Sequence, residues 1–437
     1  MKIYIETLGC EKNTADSESA AGILSRAGHE IISSPGEADA VMVNTCGFIN
    51  DAKEESIDTI FDMARCKKED ALLIVSGCLA QRYGNALFKE MPEADILIGV
   101  NDYLRLPEIL ENHGTGSREK YLSQSGREYV ETGLRKRRAR TYTASIKIAE
   151  GCDNVCAYCV IPAIRGPYRS RKTEDILAEA RQFAEEGCKE LVVIAQDVTA
   201  YGMDLYGKLC LPELLSQLCQ IEGIRWIRLM YCYEDRITDQ LISVMRENEK
   251  ICRYIDIPIQ HVSDRVLSSM NRHSTRASIG NTIERLRKAM PDIHIRTTII
   301  TGLPGETKED FEILRDFVEE ARLERLGVFT YSREEGTPAA AMKGQVREQV
   351  KQKRRDTLMA IQRSISLEKN REMIGETIEI LVEEKEGEGG YIGRSAYDAP
   401  EIDNSVIFTS EKDLHPGEFV QVRITDAFDY DLTGETV

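Results

Sequence analysis

Three cysteines stand close together in the stretch EGCDNVCAYCVIP, which covers residues 150–162. Cys152, Cys156 and Cys159 follow the spacing C-x3-C-x2-C. Tyr158 precedes the third thiol. A structural zinc site normally closes four protein ligands around the metal. Three thiolates without a nearby fourth ligand are instead typical of a 4Fe-4S cluster with one open iron. The spacing therefore favours an iron–sulfur site over two alternatives, a zinc site with a distant fourth ligand and a set of reduced core cysteines.

A second set of three cysteines comes from distant parts of the sequence. Cys10, Cys46 and Cys78, called the N-terminal triad below, each follow a short apolar stretch typical of a buried parallel strand. Parallel strands of one sheet end at the same edge, where such sheets usually bind ligands. The sequence therefore predicts that these thiols converge. The other six cysteines show no ligand spacing and are expected to be small buried side chains: Cys66, Cys188, Cys210, Cys219, Cys232 and Cys252.

Residues 1–112 predict the sheet that would gather the N-terminal triad. Apolar strands alternate with amphipathic helical stretches, which indicates a doubly wound α/β domain. Residues 113–141 are polar and end in the basic run LRKRRART, which is typical of a linker. The predicted strands of the first domain lie near residues 2–10, 40–48, 72–80 and 95–99.

Residues 142–372 predict a second domain of larger strand–helix units. Helical stretches such as 172–187 and 306–323 carry apolar residues at i, i+3 and i+4. Six units indicate a partial (β/α)6 barrel, and the cysteine loop follows its first strand. The three cysteines of that loop are called the barrel triad below. Active sites of such barrels lie at the carboxyl ends of the strands. The predicted strands lie near residues 143–149, 190–196, 224–230, 253–259, 293–300 and 325–331.

Residues 373–437 predict a small all-β barrel that follows a long helix near 346–373. This segment carries 4 basic and 16 acidic side chains, a net charge of −12, within a chain of net charge −17. RNA-binding surfaces are basic because they neutralise phosphates. The charge therefore favours a basic protein partner, and a merely solvated acidic surface is the alternative. The predicted strands lie near 376–383, 390–395, 405–409 and 418–425, and the docking charges are expected to include Glu383, Glu384, Asp398 and Glu401.

The motif around the barrel triad resembles that of radical S-adenosylmethionine (SAM) enzymes. In that family the open iron chelates SAM, and an electron from the cluster cleaves SAM to methionine and a 5′-deoxyadenosyl radical. The whole chain resembles the methylthiotransferase family, in which a second cluster on the N-terminal triad carries or supplies sulfur and a TRAM-like C-terminal barrel binds the substrate. The resemblance implies SAM, a reducing electron donor and two 4Fe-4S clusters, ligated by Cys10, Cys46 and Cys78 and by Cys152, Cys156 and Cys159.

Two loops on the carboxyl edge of the predicted barrel are candidates for SAM binding. The stretch IAQDVTAYG follows the second strand, and TTIITGLPGET follows the fifth. A glycine turn permits close backbone approach, although simple chain reversal explains it equally well. His261, after the fourth strand, is expected to be a hydrogen-bonded scaffold residue. The predicted SAM contacts are Tyr158, Gln196, Asp197, Gly302 and Gly305.

Two branches of the methylthiotransferase family differ in their substrate. One modifies an adenosine beside the tRNA anticodon, and the other modifies the β-carbon of an aspartate in the twelfth protein of the small ribosomal subunit. The motifs GCEKNTADSE, NTCGFINDAKEESI and AEGCDNVCAYCVIPAIRGPYRSR resemble the ribosomal-protein branch. The acidic tail agrees with this branch, whereas the basic run at 134–141 leaves direct RNA contact open. A non-catalytic iron–sulfur protein that moves electrons or senses redox state is the alternative of another class.

The sequence predicts a cytoplasmic protein without a membrane segment. The N-terminal stretch MKIYIETLGC alternates like a strand, and no apolar run reaches the ~18 residues of a spanning helix. Thiols stay reduced in that compartment, which agrees with cysteines that serve as metal ligands.

Overall fold

The computed structural model describes residues 1–114, 116–126, 128–133, 135–137 and 142–437. It contains a six-stranded parallel sheet, a second six-stranded parallel sheet and a closed five-stranded barrel. This architecture confirms the predicted fold class. No helix within these ranges is both long and apolar enough to cross a membrane.

The first part is a parallel sheet with helices on both faces. Its strands are β1 (Lys2–Thr7), β2 (Glu30–Ile31), β3 (Ala40–Thr45), β4 (Leu72–Gly77), β5 (Ile96–Ile98) and β6 (Glu119–Tyr121). Its helices are α1 (Glu11–Arg26), α2 (Asn50–Cys66), α3 (Cys78–Glu90) and α4 (Leu106–Asn112), with 3-10 turns at Pro35–Glu37 and Tyr103–Arg105. The strand order is β2-β1-β3-β4-β5-β6, and β6 lies within the segment that composition indicated as a linker. Separate apolar clusters cover the two faces, as a doubly wound sheet requires.

The second part is the predicted partial barrel. Its elements are β7 (Thr143–Lys147), β8 (Ala149–Glu150), α5 (Ile161–Arg165), β9 (Arg169–Ser170), α6 (Thr173–Glu185), β10 (Glu190–Ile194), α7 (Met203–Tyr206), α8 (Leu211–Leu218), β11 (Trp226–Leu229), α9 (Asp239–Glu247), β12 (Ile251–Asp256), α10 (Asp264–Ser269), α11 (Arg276–Ala289), β13 (His294–Thr301), α12 (Lys308–Ala321), β14 (Arg325–Thr330), α13 (Pro338–Ala341) and α14 (Glu348–Glu372), with 3-10 turns at Val198–Ala200 and Glu234–Arg236. The main sheet is parallel in the order β14-β13-β12-β11-β10-β7, and β8 pairs with β9. Alternate residues of β10 face opposite sides, since Leu191 and Val193 pack with the outer helices while Val192 and Ile194 pack inward.

The third part is the C-terminal barrel. It consists of β15 (Thr377–Glu386), β16 (Gly390–Ser395), β17 (Val406–Thr409), β18 (Phe419–Ala427) and β19 (Leu432–Thr436). The barrel closes in the order β15-β16-β17-β19-β18, so β19, which the sequence did not predict, completes it by pairing with β17 and β18. Closure leaves no exposed strand edge.

Buried ion pairs attach the C-terminal barrel to the inner face of the second sheet. Glu190 binds Arg228 at 2.9 Å and also pairs with Arg394 of β16. Arg325 pairs with Asp398 at 2.5 Å, and both side chains are buried. The prediction that Asp398 is a docking charge is therefore wrong, because this carboxylate joins two parts of the protein.

Candidate active site

The structure brings the N-terminal triad together at the carboxyl edge of the first sheet. Cys10 caps α1, Cys46 follows β3 directly, and Cys78 is the first residue of α3. Gly9 has φ of +93°, and a Cβ there would lie 2.8 Å from the Cβ of Cys46. The loop before Cys10 thus touches Cys46, and only glycine fits at this close approach.

Asn13 ties the triad's loops to one another. Its Nδ2 donates to the carbonyl oxygens of Leu8 at 2.8 Å and Thr45 at 3.1 Å, which joins the ends of β1 and β3. Sequence reasoning assigned no role to Asn13, although it stands three residues after Cys10 and therefore on the same side of α1.

The barrel triad lies in the loop between β8 and α5. The N–H of Cys152 donates to the carbonyl of Gly166 at 3.1 Å, and the N–H of Ile161 donates to Cys159 Sγ at 3.4 Å. Gly151 starts this loop with φ of +78°, where a Cβ would lie 2.0 Å from the carbonyl oxygen of Pro167. Backbone contacts therefore fix the loop in a conformation in which a backbone N–H group donates to Cys159 Sγ.

The donor set fits iron–sulfur clusters better than single metal ions. Burial raises the pKa of Cys78 and Cys152 to about 11 and that of Cys159 to about 12. Buried thiolates therefore need a positive partner, which cluster iron supplies. Among the described residues, no three His, Cys, Asp or Glu side chains converge on one metal ion. The thiolates of a cluster bind different irons, so three thiols need not converge on one point to hold a cluster.

Arg165, at the end of α5, connects the two triads. Its Nη2 lies 3.3 Å from Cys78 Sγ and 3.0 Å from an Asp16 carboxylate oxygen, and its Nη1 lies 3.0 Å from Glu150. Lys147 bonds the same Glu150 oxygen at 2.7 Å. Burial opposes ionisation of Glu150, but Arg165 and Lys147 outweigh burial and lower the pKa of this carboxyl. Sequence reasoning missed Arg165, even though it stands in the barrel-triad motif.

Gln196 and Asp197, the two predicted polar contacts to SAM, differ in whether the side chain has a hydrogen-bonding atom without a partner. Gln196 donates Nε2 to Glu150 Oε1 at 2.7 Å, and its own Oε1 is buried with no partner among the described residues. Asp197 is fully buried and accepts from the N–H groups of Thr199 and Ala200 and from Asn154 at 2.9 Å. Gln196 therefore has an acceptor free for an ammonium group, whereas Asp197 holds its own loop to the cysteine loop.

The remaining predicted SAM contacts lie around the barrel triad's open side. Tyr158 is half-buried and packs with Leu303, in the turn between Gly302 and Gly305. Gly302 has φ of +80°, and a Cβ there would lie 2.3 Å from Lys351 Cγ. The close approach of Lys351 is by itself a reason for glycine at this position, and contact of Gly302 with SAM stays a prediction.

Gly305 and His261, on the same edge, differ in how much space surrounds them. Gly305 has φ of +83° and a Cβ there would meet nothing closer than 4.0 Å. His261 is fully buried, accepts the N–H of Ser263 at 2.9 Å, and has its pKa lowered to about 3 by burial. His261 is thus neutral, in agreement with a scaffold role, and the contact of Gly305 with SAM stays a prediction.

Three family models match successive parts of the chain. They are the Uncharacterized protein family UPF0004 over residues 2–99, the Radical SAM superfamily over residues 146–318 and the TRAM domain over residues 374–437. The ribosomal protein uS12 methylthiotransferase RimO of Pelotomaculum thermopropionicum is 51% identical over 443 residues, which cover 100% of this chain and 99% of that protein. The protein of the same name from Clostridioides difficile is 50% identical over 441 residues, covering 100% and 99%.

This chain belongs to the RimO family. Its membership confirms the predicted methylthiotransferase family and the predicted cofactors, 4Fe-4S clusters and SAM. Which cysteines ligate which cluster stays a prediction that the geometry supports.

Solved structures share the fold at low identity. The radical SAM methyltransferase TsrM of Kitasatospora setae, solved with cobalamin and a [4Fe-4S] cluster, matches with a TM-score of 0.59 at 15% identity, covering 77% of this chain and 76% of that one. The cobalamin-dependent SAM radical enzyme OxsB matches with a TM-score of 0.52 at 11% identity, covering 82% and 56%. The RimO-family chain therefore shares with both an α/β architecture, which says nothing of its substrate.

Proposed function

We propose that this protein is a radical SAM methylthiotransferase that inserts a methylthio group at the β-carbon of an aspartate of ribosomal protein uS12. The similarity to uS12 methylthiotransferases at 51% identity over the full length carries this proposal. The two cysteine triads support it, because the reaction needs a radical source and a sulfur donor. We also propose that residues 1–112, 142–372 and 373–437 form the bodies of three domains, since each contains one matched family model. The segment 113–141 connects the first two and contributes β6 to the first sheet.

The chain's own side chains would hold two clusters at a shared boundary. When bound, the cluster of the barrel triad supplies the electron that cleaves SAM, and that of the N-terminal triad supplies sulfur. Cys78 packs against Val160 and Ile164, which belong to the barrel-triad loop and α5. Arg165 places a fixed positive charge beside Cys78, and Gln196 offers a buried acceptor to SAM. These contacts bury Cys78 and Arg165 at the boundary.

The described basic side chains favour a protein substrate over tRNA. In the run 134–141, Arg135 pairs with Glu18 and Glu179, and Arg137 pairs with Glu186. Leu134 and residues 138–141 lie outside the described residues. The described arginines are therefore engaged within the protein. The C-terminal barrel offers exposed carboxylates at Glu384, Glu386, Glu388 and Glu411, a surface that attracts a basic ribosomal protein and repels phosphates.

The direct test combines the reconstituted protein, SAM, a low-potential reductant and purified uS12. We expect uS12 to gain the mass of one methylthio group in place of one hydrogen, located on one aspartate by tandem mass spectrometry. Cys152→Ala protein is the matched control and should leave uS12 unchanged. A methylthio group found on tRNA, with uS12 unmodified, would contradict the proposal. The same assay would compare electron donors from the cytoplasm, where we place the protein.

A further inference from the structure

A buried lysine beside the N-terminal triad, Lys12, makes no direct contact with an anionic group in the described part of the chain, and Cys10 is the neighbouring group whose negative charge would act on it most strongly. Lys12 lies in the first turn of α1, two residues after Cys10, and is only 8% exposed. Its Nζ lies 3.0 Å from the ring centroid of Tyr231. Within the described ranges, Nζ makes no hydrogen bond or ion pair with the protein. A buried ammonium without an anionic partner is costly, so its persistence points to a ligand.

The carboxylates nearest to Lys12 are engaged elsewhere. Glu150 binds Arg165 and Lys147. Asp256 accepts the N–H of Tyr231 at 3.0 Å and binds Arg296 at 3.3 Å. The positive charge of Lys12 is therefore not neutralised by a direct contact.

Tyr231 places this lysine between the two triads. It lies in the loop after β11 with φ of +60°, a conformation that a bulky residue adopts only under constraint. Two residues later, the hydroxyl of Tyr233 lies 3.4 Å from Cys156 Sγ. One short loop thus touches the barrel triad through Tyr233 and, through Tyr231, the lysine that follows Cys10. The hydroxyl of Tyr231 makes no hydrogen bond in the described part of the chain.

We infer that Lys12 and Tyr231 bind the side-chain carboxylate of the aspartate that is modified. The inference rests on the proposed function, because the carboxylate belongs to the aspartate that the proposed reaction modifies. An ammonium and a phenol hydroxyl are donors, and a carboxylate is an acceptor only. The Tyr231 ring holds the ammonium in place by a cation–π contact. The β-carbon is one bond from the carboxyl carbon, so fixing the carboxylate fixes the reacting atom between the triads.

Two other ligands, the carboxylate of SAM and a tRNA base, fit this position less well. The resemblance to radical SAM enzymes gives the carboxylate of SAM to the open iron of the barrel triad, whereas Lys12 belongs to the N-terminal part. An adenine ring is neutral, so a tRNA base would leave the ammonium unpaired. A substrate carboxylate is therefore the anion that the position favours.

The test compares equilibrium binding of uS12 and of uS12 whose target aspartate is replaced by asparagine. Holoprotein with SAM but without reductant is used, so that no turnover occurs. We expect the unaltered protein to prefer the aspartate form by about ten- to a hundred-fold, as for a charge-assisted hydrogen bond. Lys12→Met should abolish this preference, and Lys12→Arg should retain part of it. Lys120→Met, which removes an exposed charge from β6, is the control and should keep the full preference.

Several results would overturn the inference. They are an unchanged preference in Lys12→Met, equal binding of both uS12 forms by the unaltered protein, and a loss confined to SAM binding. If Lys12→Met does not fold or hold iron, Tyr231→Phe decides, because it removes only a hydroxyl. We expect it to reduce the preference several-fold, and no reduction would contradict the inference. Absence of uS12 methylthiolation by the unaltered protein would instead overturn the proposed function, which is measured separately.

Discussion

The two cysteine triads bring three thiols together in opposite ways. The barrel triad spans eight residues of one loop, and backbone hydrogen bonds of that loop shape it. The N-terminal triad joins residues from three parallel strands, so it exists only when the first sheet has formed. The spacing of the barrel triad is set within one loop, whereas the N-terminal triad depends on the order of the strands in the first sheet.

The triads also differ in which part of the protein contributes the buried arginine beside them. Arg272, whose charge acts on Cys156, belongs to the same barrel as that thiol and stacks 4.5 Å over the Tyr233 ring. Arg165, beside Cys78, belongs to the barrel while its thiol belongs to the first sheet. The N-terminal site is therefore completed by another part of the protein.

Removing each triad in turn should produce the largest effects. The reconstituted protein should hold about eight irons, as two four-iron clusters require. Changing all three cysteines of the barrel triad to alanine should leave about four irons and abolish SAM cleavage, because SAM binds at that cluster. Changing the N-terminal triad should also leave about four irons, with SAM cleavage retained and methylthio transfer lost. Iron analysis and detection of 5′-deoxyadenosine measure these outcomes.

The six remaining cysteines supply the control for this experiment. Cys188→Ala removes a fully buried thiol from the barrel core and should leave the iron content at about eight. Iron content that stays near eight after either triple change would contradict the assignment of the ligands.

Arg165 should matter to both triads. Arg165→Met leaves Asp16 and Glu150 as buried carboxylates with less compensation, which costs about 3–5 kcal/mol when a buried ion pair is broken. It also removes a positive charge beside Cys78. The reduction potential of the N-terminal cluster should fall, because nearby positive charge stabilises the reduced form. Denaturant unfolding and a redox titration followed by electron paramagnetic resonance measure the two effects.

The conservative variant separates charge from geometry. Arg165→Lys keeps the charge and should preserve most of the potential, although it cannot contact Cys78 and both carboxylates at once. An equal fall in potential for both clusters in Arg165→Met would mean that Arg165 does not act on one triad selectively.

Much of the fold could be predicted because its strands are apolar and regularly spaced. The strands that sequence reasoning missed are short or polar: β2 and β9 have two residues each, β6 reads EKY and β19 reads LTGET. Their pairing depends on neighbouring strands, which local sequence does not describe. The cysteines could be found from spacing and strand order.

The partners of these cysteines could not be found in this way. Arg165 stands in a quoted motif, but its contact with Cys78 depends on how two domains pack. Net charge likewise could not separate Asp398, paired in the interior, from exposed Glu384. Composition counts charges, and only packing decides which of them solvent can reach.

The exposed acidic side chains of the C-terminal barrel should govern how fast uS12 binds to the protein. Changing four exposed carboxylates to lysine should slow association by about ten-fold or more, because long-range attraction becomes repulsion. The effect should shrink in high salt. Stopped-flow or surface binding kinetics measure the association rate, and the positions to change are Glu384, Glu386, Glu388 and Glu411.

Reversing four charges on α12 and α14, which belong to the second domain, tests whether the position of the charges matters or only the total charge of the protein. The control changes four exposed carboxylates of α12 and α14 and should slow association much less. Equal slowing by both variants would show that the C-terminal barrel has no special part in capturing uS12. The control positions are Glu319, Glu320, Asp356 and Glu368.

The smallest predicted effect separates two glycines beside the barrel triad. Both have positive φ, so an alanine at either costs about 1 kcal/mol in backbone strain. At Gly302 the new Cβ would also lie 2.3 Å from Lys351 Cγ, so Gly302→Ala should lower the free energy of unfolding by a further ~1 kcal/mol or more. At Gly305 the space is open. If the backbone there approaches SAM, Gly305→Ala should weaken SAM binding more than its modest loss of stability explains. Isothermal titration with SAM and denaturant unfolding of both variants measure the two quantities. If SAM affinity falls only in proportion to stability in both variants, chain reversal and packing are the whole reason for the two glycines. SAM would then be bound by other residues around the barrel triad, such as Gln196, whose Oε1 has no partner among the described residues.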